Sequence, residues 1–355
     1  MNRAVVVTGA SGIIGRMLVS GYLAEGVAVI ALSRTRPNLL TLGQDSARLL
    51  EWHEADVSQP RLGLAPACYA EVARRAGQVF HLAARTDFKD QSPESYLPVN
   101  VAGVQHALAL AEAAQAPLHQ VSTAFVCGDF SGEFGEDDLA LGQGFRNGYE
   151  ASKFLGESML REAMAAATVP VTIHRPGIVV ERHPSATSGK TFGPLLFLDA
   201  VDRLRESALN KSGHLPPILR VAGNRAAHLP LVFDDAVAAC LRHCASRPEA
   251  RGKTLQLVAP QPVGNAVLEA AFNDAFGCEA ACFASPSDFA NQAMTGLEAL
   301  LARKTVPYAG YLDLGVRFRR NHLDELLGPE ALPTPSRQEL ADSFRLFLEA
   351  RRATP

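Results

Sequence analysis

Val5-Val6-Val7-Thr8-Gly9-Ala10-Ser11-Gly12-Ile13-Ile14-Gly15 is a short apolar run entering three glycines spaced Gly-x-x-Gly-x-x-Gly. The β-branched run before the glycines and the helical apolar pattern after them, Leu18, Tyr22 and Leu23, predict strand, loop and helix. Each glycine then has its own task. Gly9 permits a tight turn off the strand, Gly12 lets backbone approach a pyrophosphate, and Gly15 lets the helix pack closely. Ser11, Ile13 and Ile14 line the same helix N-terminus, which would face phosphate charge. Many loops are glycine-rich, so the reading rests on context: a second β-rich run follows at residues 27–32.

That second run ends at Ser33-Arg34, where a fold that binds NAD carries an acid for the ribose hydroxyls. Ser33 and Arg34, with Arg36 or Arg3 as helpers, instead suit a 2′-phosphate, so NADP(H) is expected over NAD(H); the plain alternative is a solvated loop arginine. A third strand is expected within 49–57, ending where Asp56 accepts from an adenine amino group and Val57 covers the ring. Residues 70–76 read as helix. Residues 78–84 read as a buried strand whose end, Leu82-Ala83-Ala84, is small enough for close approach to a cofactor. Strands alternating with helices predict an α/β fold, a Rossmann-type doubly wound parallel sheet with a smaller, partly C-terminal substrate cap. The expected division is 1–180 with 230–262 for the dinucleotide-binding core, and 181–229 with 263–355 for the cap.

The chain has 355 residues, 47% hydrophobic and 20% charged, enough for a full core. A net charge of −3 gives no global reason to expect nucleic acid or an anionic membrane surface, and favours small-molecule chemistry. With no apolar run near the roughly 20 residues that span a bilayer, and a first strand entered directly, a cytoplasmic protein is expected. Cys240-x-x-x-Cys244 and Cys278-x-x-x-Cys282 have helical spacing, yet no His/Cys/carboxylate set accompanies them; they read as reduced thiols, and no metal is expected.

Tyr149 and Lys153 stand i, i+4 in a segment of good helix formers, so both side chains should project from one helix face. A phenol beside an ammonium is favoured as phenolate, an arrangement suited to proton transfer.

Thr8-Gly-x-x-Gly-x-x-Gly15, Asp56-Val57, His81-Leu82-Ala83-Ala84, Asn100-Val101 and Tyr149-Glu-Ala-Ser-Lys153 together resemble the extended short-chain dehydrogenase/reductase superfamily over most of the first 180 residues. Asp56–Leu64, Ala84-Arg85-Thr86-Asp87-Phe88, Val121–Val126 and Arg175–Val180 resemble its thioester-reductase and fatty-acyl-CoA-reductase branch. The resemblance implies that Tyr149 protonates a substrate oxygen as hydride arrives from the nicotinamide, while Lys153 holds the ribose and tunes the phenol. It implies Thr123, rather than Ser122, as the residue orienting the carbonyl. Asn100 would steady the active-site helices or a water, or serve as a helix N-cap. Arg175-Pro176 would end a strand beside the nicotinamide, with Pro176, Gly177 and Ile178 forming the floor. Asp234 or Asp235 would cap a helix returning to the core, and a closing helix is expected at 337–351.

Where that branch usually continues with glycine, this chain has Glu181, then a loop from Arg182-His183-Pro184 to Gly189, so the acceptor pocket is expected to differ. His183 reads as a solvent-exposed loop histidine. The reading is an NADPH-dependent reductase of an acyl thioester, CoA- or carrier-bound, which would arrive on a separate molecule. The alternatives are a reductase of a small ketone or aldehyde, a nucleotide-sugar epimerase or dehydratase, and a non-catalytic NADP sensor. The superfamily's two-helix packing suggests a homodimer.

Overall fold

The structure, a computed structural model, describes residues 3–39, 48–184 and 193–353; Gly189 of the predicted loop lies outside them. The described residues within Met1–Gly177, Asp234–Val258 and Val316–Leu332 form one compact unit, and those within Ile178–Phe233, Ala259–Gly315 and Pro333–Pro355 a second.

The first unit is built on seven strands: β1 (Ala4–Thr8), β2 (Val29–Ser33), β3 (Leu50–Glu54), β4 (Ala76–His81), β5 (Leu118–Val121), β6 (Val171–Pro176) and β7 (Thr254–Leu257). They lie in the order β7-β6-β5-β4-β1-β2-β3, and every pairing is parallel. β1 and β2 are buried at all five positions each, as strands covered on both faces must be, and this is why they read as continuous apolar runs.

Helices α1 (Ile13–Ala24), α2 (Pro66–Arg75), α3 (Ala102–Ala114), α4 (Gly148–Met164) and α5 (Asp234–Ala245) cover the sheet. Val6, Ile30, Val79, Leu118 and Ile173 point to one face, where they pack with Val72, Ala107, Leu110 and Leu160 from α2, α3 and α4. The neighbouring positions point to the other face, where the Phe80 ring meets Tyr22 of α1 at 5.8 Å and stacks on His119 at 4.6 Å. His119 and His174 touch there through ring nitrogens 3.3 Å apart, and burial pushes both well below the usual histidine range, so they pack as neutral rings. Cys240 and Cys244 are buried free thiols on α5, and no metal-binding group of side chains occurs among the described residues. No helix of the described residues is long and apolar enough to cross a membrane.

In the second unit Ile178–Val180 pairs with Leu231–Phe233, and Leu219–Ala222 with Ala281–Ala284, both in parallel. Helices Asn265–Phe276 and Arg337–Arg352 meet through Phe272 and Phe344, ring centroids 4.9 Å apart. The residues that depart from the branch pattern are tied down here. The Glu181 carbonyl accepts from Ser343 at 2.7 Å, and Arg182 lies 3.9 Å over the Phe233 ring while pairing with Glu339 at 2.9 Å. His183 is exposed.

The stretch Val316–Leu332 differs from the division expected on sequence: it belongs to the first unit, not to the cap. Val316–Phe318 pairs in parallel with Gly132–Phe134, the Phe318 ring stands edge-on to Phe134, and the buried Arg320 guanidinium donates to the Val258 and Pro329 carbonyls. Strand pairing and a buried charge bind it to that core, and neither partner is a sequence neighbour.

Candidate active site

α1 begins directly after the glycine loop, with Gly12 as an N-cap that supplies no side-chain acceptor and with no acid in the first turn. Its first amides therefore have no side chain to satisfy them, the condition under which a helix N-terminus receives an anion. Gly9 has φ +67°, and a Cβ there would lie 2.6 Å from the Ala83 amide nitrogen. A Cβ on Gly15 would lie 2.3 Å from the Gly9 carbonyl oxygen. Ser11, Ile13 and Ile14 are half-buried along this edge, as are Leu82, Ala83 and Ala84 leaving β4. The Thr8 hydroxyl joins the two strand tips, sharing a 2.8 Å hydrogen bond with His81 Nδ1. β1 lies between β2 and β4, so the chain's winding reverses beside it, and the crevice at these carboxyl ends is where open α/β sheets bind ligands. The loop, which a side chain on any of its glycines would fill or obstruct, fits a dinucleotide's pyrophosphate.

At the tip of β2 the Ser33 hydroxyl is already engaged, donating to the Thr35 carbonyl at 2.7 Å and accepting from the Trp52 indole at 3.2 Å. Arg34 and Arg36 are exposed, and neither has an ion-pair partner among the described residues. The phosphate reading therefore rests on the guanidinium groups rather than the serine proton. Arg3 cannot assist: it precedes β1, and parallel pairing of β1 with β2 puts it at the opposite edge of the sheet from Arg34. Asp56 is exposed, and one carboxylate oxygen accepts from the Ser58 amide at 3.0 Å and hydroxyl at 2.7 Å, which holds the side chain in a turn. Val57 is buried, with a Cβ on Gly103 only 3.1 Å from its methyl.

Tyr149 is the second residue of α4, whose N-cap Asn147 accepts from the Glu150 amide at 3.0 Å. The Thr123 side chain stands beside its hydroxyl, and the Phe88 ring lies 5.4 Å away. One turn on, the Lys153 ammonium donates to the Val121 carbonyl at 2.9 Å. Adjacent hydroxyls thus have different partners: Ser122 donates to Glu157 at 2.7 Å, and Thr123 accepts from the Phe125 amide at 3.3 Å on the side of the phenol.

The electrostatics differ from the expectation of a phenol lowered by its lysine. Burial pushes the Tyr149 phenol up to about 12, with the Thr123 hydrogen bond opposing and Glu150 adding to the rise. Burial also pushes Lys153 down to about 8, against the pull of Glu157. The ammonium is spent on the Val121 carbonyl, so desolvation decides the phenol's state, and at neutral pH Tyr149 holds its proton.

Asn100 is fully buried and fully used. Its amide oxygen accepts from the Arg85 amide at 2.8 Å, and its nitrogen donates to the Arg85 carbonyl at 3.0 Å and the Ser152 hydroxyl at 2.8 Å. Ser152 passes the tie to the Tyr149 carbonyl at 2.8 Å. Asn100 closes the short helix Leu97–Asn100 and is no N-cap. It joins the loop after β4 to α4, which can come this close because Gly156 has no Cβ to meet the Asn100 carbonyl.

β6 ends at Pro176, after which the Gly177 amide donates to the Leu257 carbonyl at 3.1 Å. Ile178 opens the first strand of the second unit. Sequence reasoning did not single out Ser152, Glu157 or the contact of Phe88 with Tyr149. The signal for Glu157 was available, as it extends the Tyr149-Lys153 spacing by four more residues along one helix face.

Residues 7–214 match the sequence profile of the family described as male sterility protein. The chain is 30% identical over 196 residues to the isonitrile lipopeptide synthase of Streptomyces coeruleorubidus, matching 50% of this chain and 13% of that protein. It is 34% identical over 183 residues to the hybrid PKS-NRPS synthetase mpsA of Macrophomina phaseolina (strain MS6), matching 48% of this chain and 4% of that protein. The matched region thus spans a small part of either relative's length. Among solved structures, the terminal R domain from the myxalamid PKS-NRPS biosynthetic pathway superposes with a TM-score of 0.76 at 22% identity, covering 99% of this chain and 92% of that one. That likeness shows a shared fold.

Proposed function

Because this chain belongs to the male sterility protein family, within the extended short-chain dehydrogenase/reductases, we propose that it is an NADPH-dependent reductase converting an acyl thioester, CoA- or carrier-bound, to an aldehyde. The observation that carries the reading is the placement of Tyr149 on α4 beside Thr123, one helical turn from a buried Lys153 whose ammonium is held on the Val121 carbonyl. A bound nicotinamide would supply hydride to the carbonyl carbon. Thr123 donates a hydrogen bond to the carbonyl oxygen, and Tyr149 delivers its proton there as negative charge develops. Lys153 keeps positive charge beside the phenol, which stabilises the phenolate left behind. The hemithioacetal formed from a thioester then breaks its carbon–sulfur bond, releasing aldehyde and thiol. The relatives' descriptions as synthetases of peptides and polyketides support a thioester as the acceptor.

The test is to supply acyl-CoA and acyl-carrier thioesters in parallel with free aldehydes and ketones, and to measure thiol release with NADPH consumption. Thiol released in step with NADPH supports the proposal. Turnover of free carbonyls with no thiol from any acyl donor assigns the same residues to a small-carbonyl reductase.

For cofactor choice we expect Arg34→Ala to weaken NADPH by about tenfold and leave NADH little changed. A charge-assisted contact is worth about 1.5–3 kcal/mol, and exposure of the guanidinium to solvent puts the effect at the low end. Titrations with both cofactors at low and high salt check this, because a phosphate contact loses strength with salt. Equal binding of NADH and NADPH by the unmodified protein would leave Arg34 a solvated loop residue.

A further inference from the structure

The Glu157 carboxylate is buried where three elements of the candidate site converge. The Ser122 hydroxyl reaches it from the tip of β5 at 2.7 Å. From the end of β6, Arg175 reaches it through Nε at 3.1 and 3.2 Å and Nη2 at 2.7 Å. On its own helix Arg161 joins at 3.1 Å. Both arginines are anchored further: Arg175 donates to the Gly135 and Asp138 carbonyls, and Arg161 to those of Glu136 and Asp137 and to the Thr254 hydroxyl. Two of the residues held by this carboxylate adjoin the residues of the proposed site, and Glu157 shares a helix with the others. Ser122 precedes Thr123, Arg175 precedes Pro176 and Gly177, and Glu157 follows Tyr149 and Lys153 on α4.

We infer that Glu157 is a positioning residue for this reduction. Its carboxylate registers the Thr123 strand tip and the Tyr149-Lys153 helix against the end of β6, and it serves as counter-charge to Lys153. The inference rests on the reductase reading for its kinetic consequence, but not for its electrostatic one.

Around Lys153 stand the Val121 carbonyl of β5, His81 from β4, and Tyr149 and Glu157 on its own helix. Burial pushes His81 down to about 3 and the phenol up to about 12, so both are neutral near pH 7. That leaves Glu157, itself held below the usual carboxylate range by Arg175 against its burial, as the negative group in this set. Glu157 raises the affinity of Lys153 for its proton, so removing the carboxylate lowers the pH at which that proton is lost.

The test reads Lys153 directly. The chain has six lysines, so a protein carrying isotopically labelled lysine gives a short set of side-chain NMR signals, in which Lys153→Met identifies the signal of interest. In Glu157→Gln the titration midpoint of Lys153 is expected to fall by about one pH unit. In steady-state assays kcat should fall about tenfold with NADPH affinity unchanged. Because Glu157→Gln by itself leaves Arg175 buried without its charged partner, Glu157→Gln combined with Arg175→Met is the second variant, and a smaller fall in the same direction is expected in it, since the arginine's positive charge leaves with the carboxylate. An unmoved midpoint in either folded variant overturns the inference. If neither variant folds, Glu157 belongs to stability alone and the inference is equally overturned. The lysine titration needs neither acyl donor nor cofactor, so failure of the thioester reading would show as absent thiol release while the Lys153 shift stays readable.

Discussion

Tyr149→Phe is expected to lower kcat about a thousandfold while leaving the Kd for NADPH within a factor of about three, measured by single-turnover reduction and by cofactor titration. A positioned proton donor is worth roughly 10²–10⁴ in rate, and the upper part of that range applies where no second acid stands beside the oxygen. Thr123 stands beside the phenol but is too weak an acid to replace its proton, and Lys153 is held on the Val121 carbonyl. Phenylalanine retains the ring that packs against Phe88, so loss of folding is not expected. The pH profile should separate the two groups. With the phenol near 12 and Lys153 near 8, the first loss of reductive rate on the alkaline side follows deprotonation of Lys153: rate is full below that value and falls as pH rises through it. A Tyr149→Phe protein with undiminished turnover would remove the phenol from the mechanism.

Gly9→Ala is expected to destabilise the protein by about 3–5 kcal/mol and to abolish measurable dinucleotide binding, whereas Gly26→Ala should cost only about 1 kcal/mol. The two positions share a left-handed backbone, with φ +67° and +73°, and so share the intrinsic cost of adding a Cβ. What separates them is space. At Gly26 nothing lies within 4 Å of the added carbon, but at Gly9 it would meet the Ala83 nitrogen at 2.6 Å, the Ala83 Cα at 2.8 Å and the Leu82 carbonyl carbon at 2.9 Å. All three are backbone atoms of the segment leaving β4, so relief requires moving that segment or the phosphate loop itself. Thermal unfolding of both variants with NADPH titration checks the pair. Equal stability losses would mean that the segment leaving β4 yields freely at Ala83.

The parallel sheet was legible in sequence because strands buried on both faces read as apolar runs, and because the glycines, the Asp56-Val57 strand end and His81–Ala84 recur at intervals that βα units impose. Tyr149 and Lys153 were legible for a similar reason: helical spacing alone puts them on one face. Local periodicity is all that such inferences need. Long-range contacts decided the rest. The Ser33 hydroxyl oxygen accepts from Trp52 in the next strand, and Arg3 was ruled out as a helper by the parallel sense of β1 and β2. The state of the Tyr149 phenol followed from how deeply tertiary packing buries it, a quantity no spacing encodes. Asn100, Ser122 and Glu157 found their partners 15 to 52 residues away in the chain. Buried polar groups must be satisfied wherever the fold brings a partner, so the sequence determined which residues carry the chemistry, and only the tertiary structure decided which of them hold the others in place.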